Sequence, residues 1–93
     1  MRSFRIFETD EFLEKLSKLP QSESSFLQRK LQGYVYPQLR DGPFYGPNIR
    51  KLRDYTPDTW RYRIGRFRLF YAVDDDEHIV YLLSVDLRRD AYR

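Results

Sequence analysis

Hydrophobic residues near the start of the chain form one short alternating segment and then a helical repeat. The alternation in Arg2–Phe7 predicts a first β-strand. Four apolar residues then recur at helical spacing, namely Phe12, Leu13, Leu16 and Leu19. Thr9 is a candidate N-cap for this helix, and Pro20 should end it after Leu19.

A second helical repeat starts at Ser22 and runs to Val35. Pro37 is expected to kink or end this helix, because proline has no backbone N–H and its ring collides with the preceding turn. The two helices should form an antiparallel hairpin. The glycine and proline content of residues 41–48 predicts a loop after it.

From Ile49 onward the hydrophobic period changes from helical spacing to two, which is typical of strands. Four strands are predicted, over Ile49–Arg53, Trp60–Ile64, Phe67–Val73 and His78–Val85. The polar residues after Val85 are predicted to be irregular. The order βααββββ indicates an α+β fold, with an N-terminal strand, an antiparallel helical hairpin and a C-terminal antiparallel β-meander. The helices should pack on one face of the sheet, and residues 1–93 should form a single domain.

The central hairpin of the predicted meander has a register that follows from its turn. Gly65-Arg66 suits a two-residue type II′ turn, so Ile64 should pair with Phe67 and Arg63 with Arg68. Because side chains alternate across a strand, one face carries only apolar and aromatic residues, namely Trp60, Tyr62, Ile64, Phe67, Leu69, Tyr71 and Val73. The opposite face carries Arg61, Arg63, Arg68 and Phe70.

The arginines of this second face predict a site for an anion. Like charges in opposed positions destabilise a sheet, so Arg63 and Arg68 should meet a negative partner. The phosphodiester backbone of a nucleic acid suits them, since guanidinium binds phosphate in a bidentate manner. The alternative is an ordinary salt bridge to Asp86 or Asp90, either of which would neutralise one arginine and leave the others.

Composition narrows the classes of protein that fit. The 41% hydrophobic and 17% aromatic content excludes a disordered chain, and the net charge is +3. The absence of cysteine excludes disulfides and thiolate metal sites and fits a reducing compartment. Arg2 and Arg5 interrupt any signal sequence, and no apolar run is long enough to span a membrane, so a cytoplasmic protein is expected.

Other candidate chemistry is sparse, and no cofactor or metal is expected. The acidic run Asp74–Glu77 is interpreted as an exposed turn, because consecutive turn residues point apart. His78, the one histidine, is expected to be a solvated residue at a strand start. Tyr92 differs from the other tyrosines because it lies in a polar tail, where it could transfer a proton or stack on a base.

Three segments together resemble the RelE/ParE toxin superfamily, over essentially the whole chain. They are Gly46–Leu52, Trp60–Tyr71 and Val85–Tyr92. The resemblance implies a toxin of a type II toxin–antitoxin system. In its RelE branch the toxin cleaves mRNA in the ribosomal decoding site, using the 2′-hydroxyl of the message to attack the adjacent phosphate.

The same resemblance assigns roles to individual residues. It implies a catalytic set consisting of Arg61, Arg63, Arg68, Arg88 and Tyr92, and RNA contacts from Arg50, Lys51, Arg53, Arg66, Phe70 and Arg89. The first two of the catalytic set replace lysines of RelE, and Leu87 replaces a histidine of many relatives. Arginine hardly releases a proton at neutral pH, so the arginines would hold phosphate and Tyr92 would accept the proton, with Asp86 or Asp90 in reserve.

The implied partners are a cognate antitoxin that masks the basic face, forming a toxin–antitoxin hetero-oligomer, together with the ribosome and mRNA. No membrane partner is expected. Two alternatives remain open within the same fold. One is a ParE-like inhibitor of DNA gyrase, and the other is a non-catalytic protein that binds nucleic acid.

Overall fold

The secondary structure follows the predicted order of elements. A computed structural model describes residues 3–87 of the chain. The helical elements are α1 (Asp10–Ser17), α2 (Gln21–Lys30), a π-helical turn (Leu31–Val35) and α3 (Tyr36–Asp41). The strands are β1 (Arg5–Glu8), β2 (Ile49–Lys51), β3 (Trp60–Ile64), β4 (Phe67–Asp74) and β5 (Ile79–Leu87).

The five strands form one sheet in the order β1-β5-β4-β3-β2. Strands β2 to β5 are antiparallel neighbours, whereas β1 pairs in parallel with β5, with Arg5 beside Ile79. The helical hairpin packs against one face, which confirms the predicted α+β fold. The parallel pairing of β1 was not predicted, since it joins the first strand to the last and has no local signal in the sequence.

The core lies between this sheet face and the helices. Phe12, Leu27 and Leu39 contribute from the helices, and Leu69 and Tyr71 from β4, all fully buried. The predicted apolar face of the hairpin is therefore confirmed as the core face. Within the described residues, no helix is long and apolar enough to cross a membrane.

Thr9 fixes the start of α1, as predicted. Its backbone is extended, and its hydroxyl accepts a hydrogen bond from the Phe12 N–H at 3.3 Å. The same hydroxyl donates to the carbonyl of Leu82 in β5 at 2.6 Å. One side chain thus joins the first helix to β5.

The second helix runs further than its apolar repeat indicated. It continues through Pro37 to Asp41, with the wide π-helical turn Leu31–Val35 immediately before the proline. A π turn loosens the backbone at the point where the proline ring would otherwise collide with the carbonyl four residues earlier, at Gly33. The expected kink therefore takes the form of a change in helix type.

Two strand ends also differ from the prediction. β2 ends at Lys51 and excludes Arg53, whereas β5 extends through Leu87. The prediction that residues 86 and 87 are irregular was wrong, because Arg68 pairs with Asp86 in register and Phe67 with Leu87.

The predicted solvation of His78 was also wrong. Its side chain is only 17% exposed, and its ring lies 4.7 Å from that of Phe4. His78 adopts a left-handed backbone with φ of +58°, in the turn before β5. It packs as an aromatic residue at the end of the sheet.

Candidate nucleic-acid interface

The face of the sheet opposite the helices carries four arginines in two adjacent pairs. The register places Arg50 of β2 across from Arg61 of β3, and Arg63 of β3 across from Arg68 of β4. We call these four residues the arginine face. Facing side chains in an antiparallel sheet have Cβ atoms about 5 Å apart. The structure thus confirms the predicted hairpin register and adds Arg50 to the cluster.

The turn of the β3–β4 hairpin determines this arrangement. Gly65 has φ of +56°, the left-handed value that the leading glycine of a type II′ turn requires. Shifting the register by one residue would move every arginine to the core side. The core-facing aromatic residues prevent that shift, because Trp60 stacks on Tyr71 with ring centroids 6.2 Å apart.

The four arginines differ in their exposure to solvent. Arg50 and Arg63 are exposed, whereas Arg61 and Arg68 are half-buried and have buried Nε atoms. Half-burial holds the aliphatic stem of an arginine against the sheet and leaves fewer side-chain conformations to lose on binding. Such preorganised positive charge is suited to stabilising negative charge that develops during a reaction.

Asp86 is the acidic residue next to the arginine face among the residues that the structure describes. It lies across from Arg68 in the β4–β5 register. Its Oδ1 accepts from the Nζ of Lys15 on α1 at 3.1 Å, a cation outside the arginine face. The carboxylate across from Arg68 is therefore already engaged by a lysine of the helical layer.

Phe70 is placed on the same side of the sheet as the arginine face. It lies directly across from Arg61 on the neighbouring strand and is half-buried. Its ring is therefore available beside a guanidinium, where it could contact a base or a sugar.

Two residues predicted to bind RNA, Arg66 and Lys51, form salt bridges away from the arginine face. Arg66 bends toward the helices, where its Nη2 is 2.8 Å from Oε2 of Glu23. Lys51 forms a salt bridge with Asp58 at 3.2 Å, with its Nζ 5.6 Å from the centre of the Trp60 ring. Arg53 is exposed in the loop that follows β2. Arg66 and Lys51 therefore do not join the four arginines.

The remaining predicted residues lie outside the described part of the chain. They are Arg88, Arg89 and Tyr92, together with the reserve acid Asp90. Their roles stay predictions.

A cavity of about 290 Å³ beside the arginine face was not predicted from the sequence. It is lined by Tyr55, Thr59, Phe70, Leu83, Ser84 and Asp86. Tyr55 lies in the loop between β2 and β3 and is 54% exposed. A single sequence does not indicate how such a loop folds back over a sheet, so the position of Tyr55 beside the cavity could not be predicted.

The tyrosines of the hairpin cannot act as bases for the arginine face. Tyr62 and Tyr71 point into the core, and burial raises the pKa of both phenols above the usual value of 10.0. Tyr71 also donates its proton to the carbonyl of Pro43 at 2.6 Å. The described face therefore supplies positive charge, while its neighbouring phenols hold their protons.

Comparison with known families matches residues 8–92 to the model described as the ParE toxin of the type II toxin–antitoxin system parDE. Comparison with curated protein sequences gives no match.

Several solved structures share the fold over nearly their full length. The toxin–antitoxin complex RelBE2 of Mycobacterium tuberculosis aligns with a TM-score of 0.72 at 27% identity, covering 92% of this chain and 99% of that one. The intact RelBE complex of E. coli gives 0.64 at 24% identity, with 90% and 95% covered. The archaeal RelE–RelB complex of Pyrococcus horikoshii gives 0.68 at 19% identity, with 91% and 94% covered.

Proposed function

The chain belongs to the RelE/ParE superfamily of toxins from type II toxin–antitoxin systems, and we propose that it is an endoribonuclease that cleaves mRNA on the ribosome. The arginine face carries this proposal. Four guanidinium groups on a rigid sheet form a site for the backbone of a single-stranded RNA.

The proposed reaction is an attack within the message itself. The 2′-hydroxyl oxygen forms a bond to the adjacent phosphorus, and the bond from phosphorus to the 5′ oxygen breaks. The products are a 2′,3′-cyclic phosphate and a free 5′-hydroxyl. One proton leaves the 2′-hydroxyl and one reaches the departing 5′ oxygen, so the step consumes no water.

The arginines stabilise the charge of the transition state. Arg63 and Arg68 face each other across the hairpin, so they can hold the two non-bridging oxygens of the scissile phosphate. Arg61 lies two residues along β3 from Arg63, about 6.6 Å away, and with Arg50 it would contact a neighbouring phosphate. Arg88 is proposed for a further phosphate.

Proton transfer is the part that the arginine face does not supply. Arginine stays protonated at neutral pH, and the hairpin phenols face the core. We assign the proton acceptor to Tyr92 and the remaining acid–base chemistry to the ribosome. The isolated chain should therefore cleave RNA slowly or not at all.

The antitoxin partner is proposed to cover the arginine face. As a type II toxin the chain has an antitoxin partner, and the similar structures include complexes with RelB antitoxins. Four arginines grouped on one face of the sheet favour an acidic segment of that partner. Its binding would exclude RNA by occupying the same charges.

Cleavage is tested by inducing the chain in bacterial cells and mapping new 5′-hydroxyl ends on a translated message and on the same message without a start codon. We expect cuts within codons of the translated message alone. Arg63→Ala and Arg68→Ala should each abolish growth arrest. Arg29→Ala removes an exposed arginine of α2, away from the arginine face, and should arrest growth like the parent chain.

A gyrase inhibitor is the second candidate, because the matching family model is that of ParE. Growth arrest with intact messages and broken chromosomal DNA would support it and overturn the nuclease proposal. Growth arrest that survives loss of Arg63 and of Arg68 would overturn the assignment of the arginine face.

A further inference from the structure

We propose that the cavity beside the arginine face is a subsite for one RNA base, and that it selects bases carrying an amino group over uracil. This inference rests on the proposed RNA-cleaving function and adds a specificity determinant to it. The cavity is lined by Tyr55, Thr59, Phe70, Leu83, Ser84 and Asp86.

The register aligns this cavity with the phosphate-binding arginines. Arg50, Arg61, Phe70 and Ser84 lie across from one another on four neighbouring strands, in a single row. Adjacent strands are about 4.8 Å apart. A nucleotide lying along this row with its phosphate on Arg61 therefore places its base over Phe70 and Ser84.

The shape and lining of the cavity suit a planar aromatic ring. Tyr55 is 54% exposed at the rim and Phe70 is half-buried on the sheet, so two aromatic side chains border the space. Stacking on such rings is the usual way in which proteins hold unpaired bases. The volume of about 290 Å³ lies at the lower limit for ligand pockets, roughly 300 Å³, which fits a base better than a whole nucleotide.

Ser84 contributes a hydroxyl-bearing side chain to the lining of the cavity. Its side chain is only 9% exposed, and within residues 3–87 its Oγ is buried and has no hydrogen-bond partner. A buried hydroxyl without a partner is costly, and a bound base would satisfy it. The hydroxyl both donates and accepts, so by itself it does not distinguish one base from another.

Asp86 provides the discrimination. An ionised carboxylate only accepts hydrogen bonds, so it accepts from the exocyclic amino groups of adenine, cytosine and guanine, whereas uracil offers it a single N3–H between two carbonyl oxygens that the carboxylate repels. Lys15 holds one oxygen at 3.1 Å and acts as a positioning residue. A carboxylate has about four acceptor sites, so this salt bridge leaves room for a base.

The test uses the full chain, labelled with ¹⁵N, and titrates it with AMP, CMP, GMP, UMP and inorganic phosphate while amide signals are recorded. Inorganic phosphate should shift signals of the arginine face alone. The three amino-bearing monophosphates should also shift Tyr55 and Ser84, and should bind roughly tenfold more tightly than UMP.

Asp86→Asn is the decisive variant. Its amide donates to O4 of uracil, so the ratio of the affinity for the amino-bearing monophosphates to the affinity for UMP should fall to about one. Binding of inorganic phosphate should persist. Ser84→Ala should weaken all four nucleotides and leave inorganic phosphate unaffected. Asp76→Asn, the same change in the exposed turn before β5, is the matched control and should behave like the parent chain.

The outcomes separate this inference from the proposed function. Equal binding of UMP and the other monophosphates, or an unchanged preference in Asp86→Asn, overturns the base subsite while leaving the phosphate site intact. Failure of inorganic phosphate to shift the arginine face counts against the nuclease proposal. Base-dependent shifts at Ser84 would still support the subsite in that case, and their absence would overturn both.

Discussion

The two faces of the sheet carry side chains of different acid–base chemistry. The core face carries buried tyrosine phenols, and the opposite face carries arginine guanidinium groups. On the core face, burial raises the pKa of Tyr71, and on the facing helix α3 burial and then a hydrogen bond to Glu8 at 2.8 Å raise the pKa of Tyr36. The opposite face carries Arg61 and Arg63, and arginine is a cation at any physiological pH. Position on the pleat thus separates the buried phenols of the hairpin from its guanidinium groups.

Returning lysine to the two β3 positions should restore proton transfer. A lysine surrounded by arginines has a lowered pKa and can release a proton, which arginine cannot. We expect Arg61→Lys/Arg63→Lys to raise the single-turnover rate of message cleavage on purified ribosomes by up to about a hundredfold. Arg29→Lys serves as the control. An equal or lower rate across pH 6–9 would contradict the view that proton transfer limits this chain.

Alkaline pH should destabilise the fold through its buried phenols. The folded pKa of Tyr71 lies above its ordinary value of 10.0, so the associated stability is complete below about pH 10 and is lost as pH rises toward the folded value. Urea unfolding between pH 8 and 11 should show this decline.

Tyr71→Phe should make that decline less steep, with Tyr36 and Tyr62 keeping their share, although it lowers the free energy of unfolding at pH 7 by about 1 kcal/mol through loss of the bond to Pro43. Tyr45→Phe, at a position 86% exposed, should leave the profile unchanged. If the free energy of unfolding of Tyr71→Phe falls with pH as steeply as that of the parent chain, a group other than Tyr71 causes the loss of stability.

At the scale of elements, the sequence predicts features that depend on residues close together in the chain. It does not predict features that depend on residues far apart in the chain. The β3–β4 hairpin was predicted with its correct register, because Gly65-Arg66 and the alternation beside it are contiguous in the chain. The cavity was missed because it needs Tyr55 from a loop and Asp86 from a strand end that looked like a polar tail. Both depend on pairing and loop geometry that no short segment encodes.

The junction between α1 and β5 should depend on one hydroxyl. Thr9→Ala removes the N-cap of α1 and the bond to Leu82, and should lower the free energy of unfolding by about 2 kcal/mol in urea titrations. Thr9→Ser keeps both hydrogen bonds and should lose much less. Equal stability of the alanine and serine variants would show that packing around Thr9, and not its hydroxyl, joins the two elements.

At the scale of the molecule, the modest net charge of +3 conceals a strongly positive side. Arg50, Arg61, Arg63 and Arg68 lie together on this side, and Arg66 and Lys51 form salt bridges elsewhere. The hairpin pattern located three of these four arginines from sequence. The fourth, Arg50, was named as an RNA contact from the family resemblance, and the pairing of β2 with β3 places it across from Arg61.

Salt should weaken RNA binding in proportion to the arginines engaged. For a short RNA made uncleavable by 2′-O-methylation, the slope of log K against log salt should be about −3, since each phosphate contact contributes about −0.7. Arg50→Ala should bring the slope about 0.7 closer to zero, and Arg29→Ala should not change it. A slope near zero for the parent chain would mean that binding does not use the arginine face.

The parallel pairing of β1 with β5 also determines when the protein can finish folding. β1 is synthesised first, and its neighbour in the sheet, Ile79–Leu87, is the last described strand to be made. At ~5–20 residues per second, roughly ten seconds separate the two. During that interval the β3–β4 hairpin can already form from its own turn, while β1 has no β5 strand to pair with. The nascent chain therefore completes its sheet late, and this interval is when an antitoxin already present in the cell could first engage it.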